Sequence, residues 1–312
     1  MFRIGILGSE NSHAMAFSKM FNGIDTRFAG EFDDIEVVGT FGTDDASNKA
    51  LIEQAGVKFI ADKPEDLLGH VDAVMVTARD GKYHAAYARP FLEAGLPAFI
   101  DKPFTSDPAE AIALAKLAKD KNIPICGGSS LKVCMETERL AAYAAKNRAD
   151  ILTGSVYAPV NMVNEYGNFW FYADHLTEIS LAVFGWDPQW VQAVGRDDKG
   201  VTALVGYENY TVSNHFCEGM YQYGGTVVTK GGIHTQIITL DDAYANECRV
   251  FARMLRTGKM HGTYEQMAQP VFYMDALYRS MQTGEKVAVA QAVVDGLHII
   301  NQQAVSGYLD IA

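Results

Sequence analysis

Positive charge is scarce in this sequence: 26 lysines and arginines face 38 aspartates and glutamates, a net charge of −12. Such a surface repels phosphate backbones, and no basic patch runs against the trend, which excludes nucleic acid as the main partner. Long apolar runs are also missing. None approaches the roughly 18 residues that span a bilayer, so no membrane partner is expected. The four cysteines, Cys126, Cys134, Cys217 and Cys248, include no C-x-x-C pair. That excludes a disulfide scaffold and the usual zinc spacings, and no metal is expected. They read instead as small buried hydrophobes in a reduced compartment. The opening residues, MFRIGILGSE, enter a strand at once and carry no small-residue cleavage site, which points to a cytoplasmic protein.

What is present fits a folded protein of two domains. The chain has 312 residues, 48% of them hydrophobic, and domains run to about 150 residues each. In the first part, apolar runs alternate with helical stretches: FRIGIL, Ile35 to Phe41, Val57–Ile60, VDAVMV, Ala98–Ile100 and Ile123–Cys126 read as six strands separated by helices. Strands so spaced, with hydrophobic crossovers, predict an α/β domain, a Rossmann-type doubly wound parallel sheet over residues 1–126. From residue 127 to 312 the pattern changes. Runs such as VTALVGY, YTVSNHF and GGTVVTK alternate with period two between helical segments. They predict an α+β domain with a largely antiparallel open sheet, suited to substrate binding and oligomerisation.

A strand, a glycine turn and a helix at the start of a parallel sheet is where dinucleotides bind. The expected fingerprint is G-x-G-x-x-G; here the turn reads Gly8-Ser9-Glu10-Asn11-Ser12-His13. Only the first glycine is present, so a cofactor turn and an ordinary capped turn are both open. Asp44, two residues after Gly42, which holds the position expected of the acid, can bond a ribose hydroxyl or cap the next helix; the cap is the favoured reading. At Asp101-Lys102-Pro103 a strand ends in an acid and a lysine, at the sheet edge where open α/β sheets place their ligands. Lys102 there can donate to a ribose or to a substrate oxygen, with Asp101 setting its orientation.

Three segments are recognisable together: VDAVMVTARDGKYHAAYARPFLEAGLPAFIDKPFTSDPAEAIALAKLA, HLTEISLAVFG, and ECRVFARMLRTGKMHGTYEQMAQPVFYMDALYRSMQTGEKVAV. In these the chain resembles the glucose–fructose oxidoreductase / inositol dehydrogenase / MocA (Gfo/Idh/MocA) family of nicotinamide-dependent sugar and polyol oxidoreductases. The resemblance implies NAD or NADP as cofactor and hydride transfer to or from a secondary alcohol of a sugar, inositol or related polyol. It implies homodimers or homotetramers. Lys102 matches the lysine of the family's E-K-P motif, with Asp101 in the glutamate position, and His175 matches its general acid/base. Lys102 and His175 are thus the candidate catalytic residues. Gly8, Ser9, Glu10, Asn11, Ser12, Asp44, Thr77, His84, Asp101 and Lys102 are candidates for the cofactor. Lys102, Tyr157, Asn161, Asp174 and His175 are candidates for substrate. Glu178, one turn after His175, lies within reach of the imidazole. Phe171 stands where the family often has an aspartate. With Glu10 and His13, it marks an alternative: a relative with altered or lost cofactor binding, serving as a carbohydrate-binding or regulatory protein.

Overall fold

The computed structural model describes residues 1–197 and 199–294. Six short apolar strands, β1 (Phe2–Leu7), β2 (Ile35–Phe41), β3 (Phe59–Ile60), β4 (Ala73–Val76), β5 (Ala98–Asp101) and β6 (Ile125–Gly128), form one parallel sheet. Their order is β3-β2-β1-β4-β5-β6. Strand order reverses between β1 and β4, which opens a crevice at their carboxyl ends. Four helices cover the sheet: α1 (Ser12–Phe21), α2 (Asp45–Ala55), α3 (His84–Glu93) and α4 (Pro108–Asp120). Strands β1, β4 and β5 are almost wholly buried, as covering on both faces requires.

After α5 (Met135–Lys146) the chain lays down β7 (Ile151–Val160), the long helix α6 (Phe169–Phe184) and five more strands. These are β8 (Trp190–Asp197), β9 (Gly200–Gly206), β10 (Thr211–Glu218), β11 (Tyr223–Thr229) and β12 (Gly232–Ile238). With β13 (Val287–Ala288) they make a second sheet, ordered β12-β11-β7-β10-β9-β8-β13. It is antiparallel except where β7 lies parallel to β10. Helices α5 and α6 cover one face, where Val156 and Ala158 join Leu140, Leu176 and Phe184 in the core.

Two C-terminal helices, α7 (Ala243–Thr257) and α8 (Tyr264–Thr283), link the sheets. Cys248, Phe251 and Met254 of α7 pack with Phe17, Phe21 and Phe99 of the first sheet's layer. Met267 and Val271 of α8 join the core around Leu114, while Tyr273 and Leu277 of the same helix enter the second core. This packing sets α6 against the carboxyl edge of the first sheet, and the cleft forms there.

Gly8 shows how tightly the first turn is built. Its φ is +104° and a Cβ would lie 2.2 Å from the Ala78 nitrogen. Gly8→Ala is therefore expected to destabilise the fold, with about 1–3 kcal/mol from backbone strain alone and more from the clash, read by denaturant unfolding.

Candidate active site

A cavity of about 680 Å³ lies between the carboxyl end of the first sheet and the start of α6. Lys102 enters it from the end of β5 and His175 from α6, and Tyr166, Tyr172, Tyr223 and Tyr244 supply aromatic wall. Polar and charged groups converging on a cleft with aromatic walls suit a small polar molecule.

Lys102 is 4% exposed, and its Nζ sits 4.4 Å from the centre of the Phe171 ring. Among the described residues no carboxylate is ion-paired with it. The aromatic face holds the ammonium in place, a contact worth up to about 2 kcal/mol when desolvated, and leaves its N–H groups for an oxygen in the cleft. Phe171, which at the sequence level looks like the loss of an acid, is the seat of this lysine.

The backbone of Lys102 is held by Asp101. That carboxylate is fully buried and takes the Lys102 N–H (2.7 Å), the Asn11 amide (3.1 Å) and His13 Nδ1 (2.7 Å). Burial alone would raise its pKa, but His13 and then Lys102 outweigh burial and bring it down to about 2. Asn11 also caps α1, accepting the His13 N–H at 3.2 Å. The first turn, α1 and the lysine strand are thus tied together by one carboxylate. The expectation that Asp101 orients Lys102 matches this geometry. His13 was not among the site candidates, because its partner is 88 residues away in the chain.

His175 turns Nδ1 to the Ser129 hydroxyl at 2.7 Å, so Nε2 is the nitrogen left to the cleft. Ser129 Oγ also accepts the Leu131 N–H at 3.2 Å. Burial, then the positive charges of Lys102 and His13, push the His175 pKa well below its ordinary value. The imidazole is therefore neutral at neutral pH. Glu178 does not pair with it. Its Oε1 accepts the Ser129 N–H at 2.8 Å, and its other oxygen pairs with Lys132. Gly128 leaves room for this ion pair: a Cβ there would lie 2.1 Å from Glu178 Oε1.

Three predicted substrate residues stand outside the cleft. Tyr157 projects from the opposite face of β7, where it stacks on His215 with ring centres 4.7 Å apart. Its alternation with the core residue Val156 dictates that face. Asn161 belongs to the loop after β7, where its carbonyl accepts the Asn164 amide. Asp174 is fully buried and is not among the residues that line the cavity. Burial and the neighbouring Glu178 raise its pKa well above the ordinary carboxylate value.

The predicted cofactor residues divide similarly. Asn11 and Ser12 line the cavity, and Ser9 presents a buried hydroxyl without a protein partner. Thr77 donates to the Gly8 carbonyl at 2.8 Å, and His84 lies between the carbonyls of Pro103 (2.7 Å) and Ala78 (2.8 Å). Both brace the loops under the crevice: the Thr77 hydroxyl proton and both His84 ring nitrogens are engaged by backbone carbonyls. Asp44 caps α2, accepting the Ser47 N–H at 2.9 Å and its hydroxyl. Glu10 reaches across the crevice to accept the Arg79 N–H at 3.1 Å, while Arg79 bonds the Tyr166 hydroxyl at 2.9 Å.

Residues 2–126 match the model of an oxidoreductase family with an NAD-binding Rossmann fold, GFO_IDH_MocA. Over these residues the chain is similar to the Gfo/Idh/MocA family. Solved structures share the fold of the whole chain. The scyllo-inositol dehydrogenase of Lactobacillus casei, crystallised with NAD(H) and scyllo-inositol, superposes with a TM-score of 0.77 at 15% identity, over 93% of this chain and 100% of that one. The myo-inositol 2-dehydrogenase of Lactobacillus plantarum gives 0.76 at 14% identity, covering 93% and 99%. GenD2 of gentamicin A biosynthesis, in complex with NAD, gives 0.76 at 14%, covering 93% and 96%. No curated protein sequence matches the chain. The described residues include no cluster of three or more metal-ligating side chains. Nor do they include a helix long and apolar enough to cross a membrane.

Proposed function

We propose that this chain is an NAD(P)-dependent oxidoreductase that interconverts a secondary alcohol and a ketone on a sugar, inositol or related polyol. The observation that carries this reading is the convergence of Lys102 and a neutral His175 in one cleft at the carboxyl end of a family-matched Rossmann sheet. The solved dehydrogenases that share the fold support it.

The first turn fits a dinucleotide in most respects. Gly8 allows close approach, Ser9 has an unspent buried hydroxyl, and α1 points its amino end at the crevice. When bound, the nicotinamide supplies or accepts the hydride. The protein's own residues do the rest. In oxidation, His175 Nε2 takes the hydroxyl proton, as a neutral imidazole can. The Ser129 hydroxyl can donate to Nδ1 or accept from it, so it supports the ring in either protonation state. Lys102 holds the oxygen on which negative charge develops.

The test is calorimetric titration with NAD⁺, NADH, NADP⁺ and NADPH separately, followed by a polyol screen for hydride transfer. Saturable binding of one pair is expected; a folded, nucleotide-free protein that binds none would overturn the reading. Glu10 sets its carboxylate beside the crevice where a pyrophosphate would lie. Glu10→Gln is expected to tighten dinucleotide binding about fivefold, the effect of removing roughly 1 kcal/mol of like-charge repulsion.

The uncovered face of the second sheet presents Tyr157, Ile233 and Ile237, which are 41%, 74% and 58% exposed. We propose that it pairs copies of the chain into a homodimer or homotetramer. Light scattering at micromolar concentration reads this directly, and a monomer mass would reject it.

A further inference from the structure

Behind His175 lies a second, narrow polar pocket that the chemistry above does not use. Ser129 lines it together with Lys132, Glu247 and His261. Its volume, about 10 Å³, is at the lower bound for a single water molecule. Glu247 reaches it from α7. The residue is 4% exposed and neither carboxyl oxygen has a hydrogen-bond partner in the protein. Buried polar atoms almost always find a partner, and Glu247 lines this pocket together with Ser129, Lys132 and His261. A water there has the two to four polar neighbours it needs among the lining groups.

We propose that Glu247, through one water in this pocket and the Ser129 hydroxyl, delivers a proton to His175 when a ketone is reduced in the main cleft. The proposal rests on the oxidoreductase reading. The carboxylic O–H of Glu247 passes its proton to the water, and the water passes one to Ser129 Oγ. Ser129 passes its own to His175 Nδ1, and the proton on Nε2 moves to the ketone oxygen. The hydride for the ketone carbon would come from the nicotinamide that the first turn would hold. The net change is one carboxylic acid to carboxylate and one ketone to alcohol.

The route answers a need that the geometry creates. Once substrate and nicotinamide fill the cleft, water no longer reaches the front of the imidazole, and a proton must arrive from behind. The charges facing Glu247 suit the task. Asp101 from the end of β5 and Glu178 from α6 add to burial in holding its proton on, while Lys132 and Lys102 pull the other way. His261 is pushed down to about 3, mainly by burial, and is neutral. The nearby Cys126, Cys134 and Cys248 thiols and the Tyr244 phenol are pushed up by burial and keep their protons. Burial and the two carboxylates thus strengthen the hold of Glu247 on its proton, as the first donor of the relay needs, and it acts through His175.

The first test needs neither substrate nor cofactor. Infrared spectra of the whole chain at pH 7 should show a protonated-carboxyl band that is lost in Glu247→Gln and retained in Asp174→Asn. In protein with ¹⁵N-labelled histidine, the His175 Nδ1 signal should move in Glu247→Gln. An unchanged band or an unmoved signal would overturn the proposal. The kinetic test uses inososes and ketohexoses with NADH or NADPH. Glu247→Gln should lower kcat about tenfold with KM unchanged and a larger solvent deuterium isotope effect; an unchanged kcat would overturn the relay. No turnover by the unmodified protein on any ketone would count against the oxidoreductase reading, while the spectra would still decide the state of Glu247. Should Glu247→Gln fail to fold, Glu247→Asp and a pH titration of the unmodified protein's infrared band replace it.

Discussion

His175→Ala is expected to lower turnover by about 10²–10⁴-fold, the usual contribution of a positioned acid or base, with nucleotide affinity unchanged. The imidazole is neutral at neutral pH, fixed by Ser129 and able to exchange a proton. Its Nδ1 is engaged by Ser129 and its Nε2 faces the cavity. Lys102→Ala should cost about 10²–10³-fold, the range seen on removing one donor to a developing oxyanion. Lys102→Arg should restore little, because a forked guanidinium does not match a compact ammonium seated on the Phe171 ring. Steady-state kinetics on the polyol found in the screen measure both. Turnover that survives either alanine would remove that residue from the chemistry.

Asp101→Ala is expected to cost stability as well as activity. The carboxylate holds three donors from three elements at zero exposure. Breaking such a pair on one side leaves the partners buried and unmatched, typically at about 3–5 kcal/mol. Denaturant unfolding reads the loss, and a smaller effect from Asp101→Asn would separate lost charge from lost hydrogen bonds. The same carboxylate predicts a pH dependence. Its pKa is about 2 in the folded state against an ordinary 3.8. Its stabilisation is therefore complete above the ordinary value and is lost as pH falls from there through about 2. Glu247 and Asp174 act with the opposite sign. Their folded pKa values are raised, so they favour the fold in acid and weaken it as pH rises through the carboxylate range. Unfolding of Glu247→Gln at neutral pH should accordingly show stability equal to or above that of the unmodified chain.

Much of the fold was legible because it is local. Apolar runs of four to seven residues punctuated by glycine mark β1, β2, β4 and β5, and period-two alternation marks β9 and β10. The Asp44 cap was legible for the same reason, since its partner Ser47 is three residues away. Lys102 and His175 stood out by their segments, and the structure brings both into one cleft. Residues whose roles depend on long-range partners were hidden. Ser129 meets His175 across 46 residues, and Glu10 meets Arg79 across 69.

By itself, the sequence determined the alternation of strand and helix and the parallel character of the first sheet, because periodicity and turn chemistry act over a few residues. Lys102 stood out by its place at the end of a strand, and His175 became a candidate only through the family resemblance. Only the tertiary structure decided which side chains share the cleft. It put Tyr157 on the far face of its sheet, turned Asp174 inward and gave Phe171 to Lys102. The reason is physical. A side chain's partners are set by how α6 and α7 pack against the ends of β1, β5 and β6, and that packing is a property of two cores that no local pattern encodes.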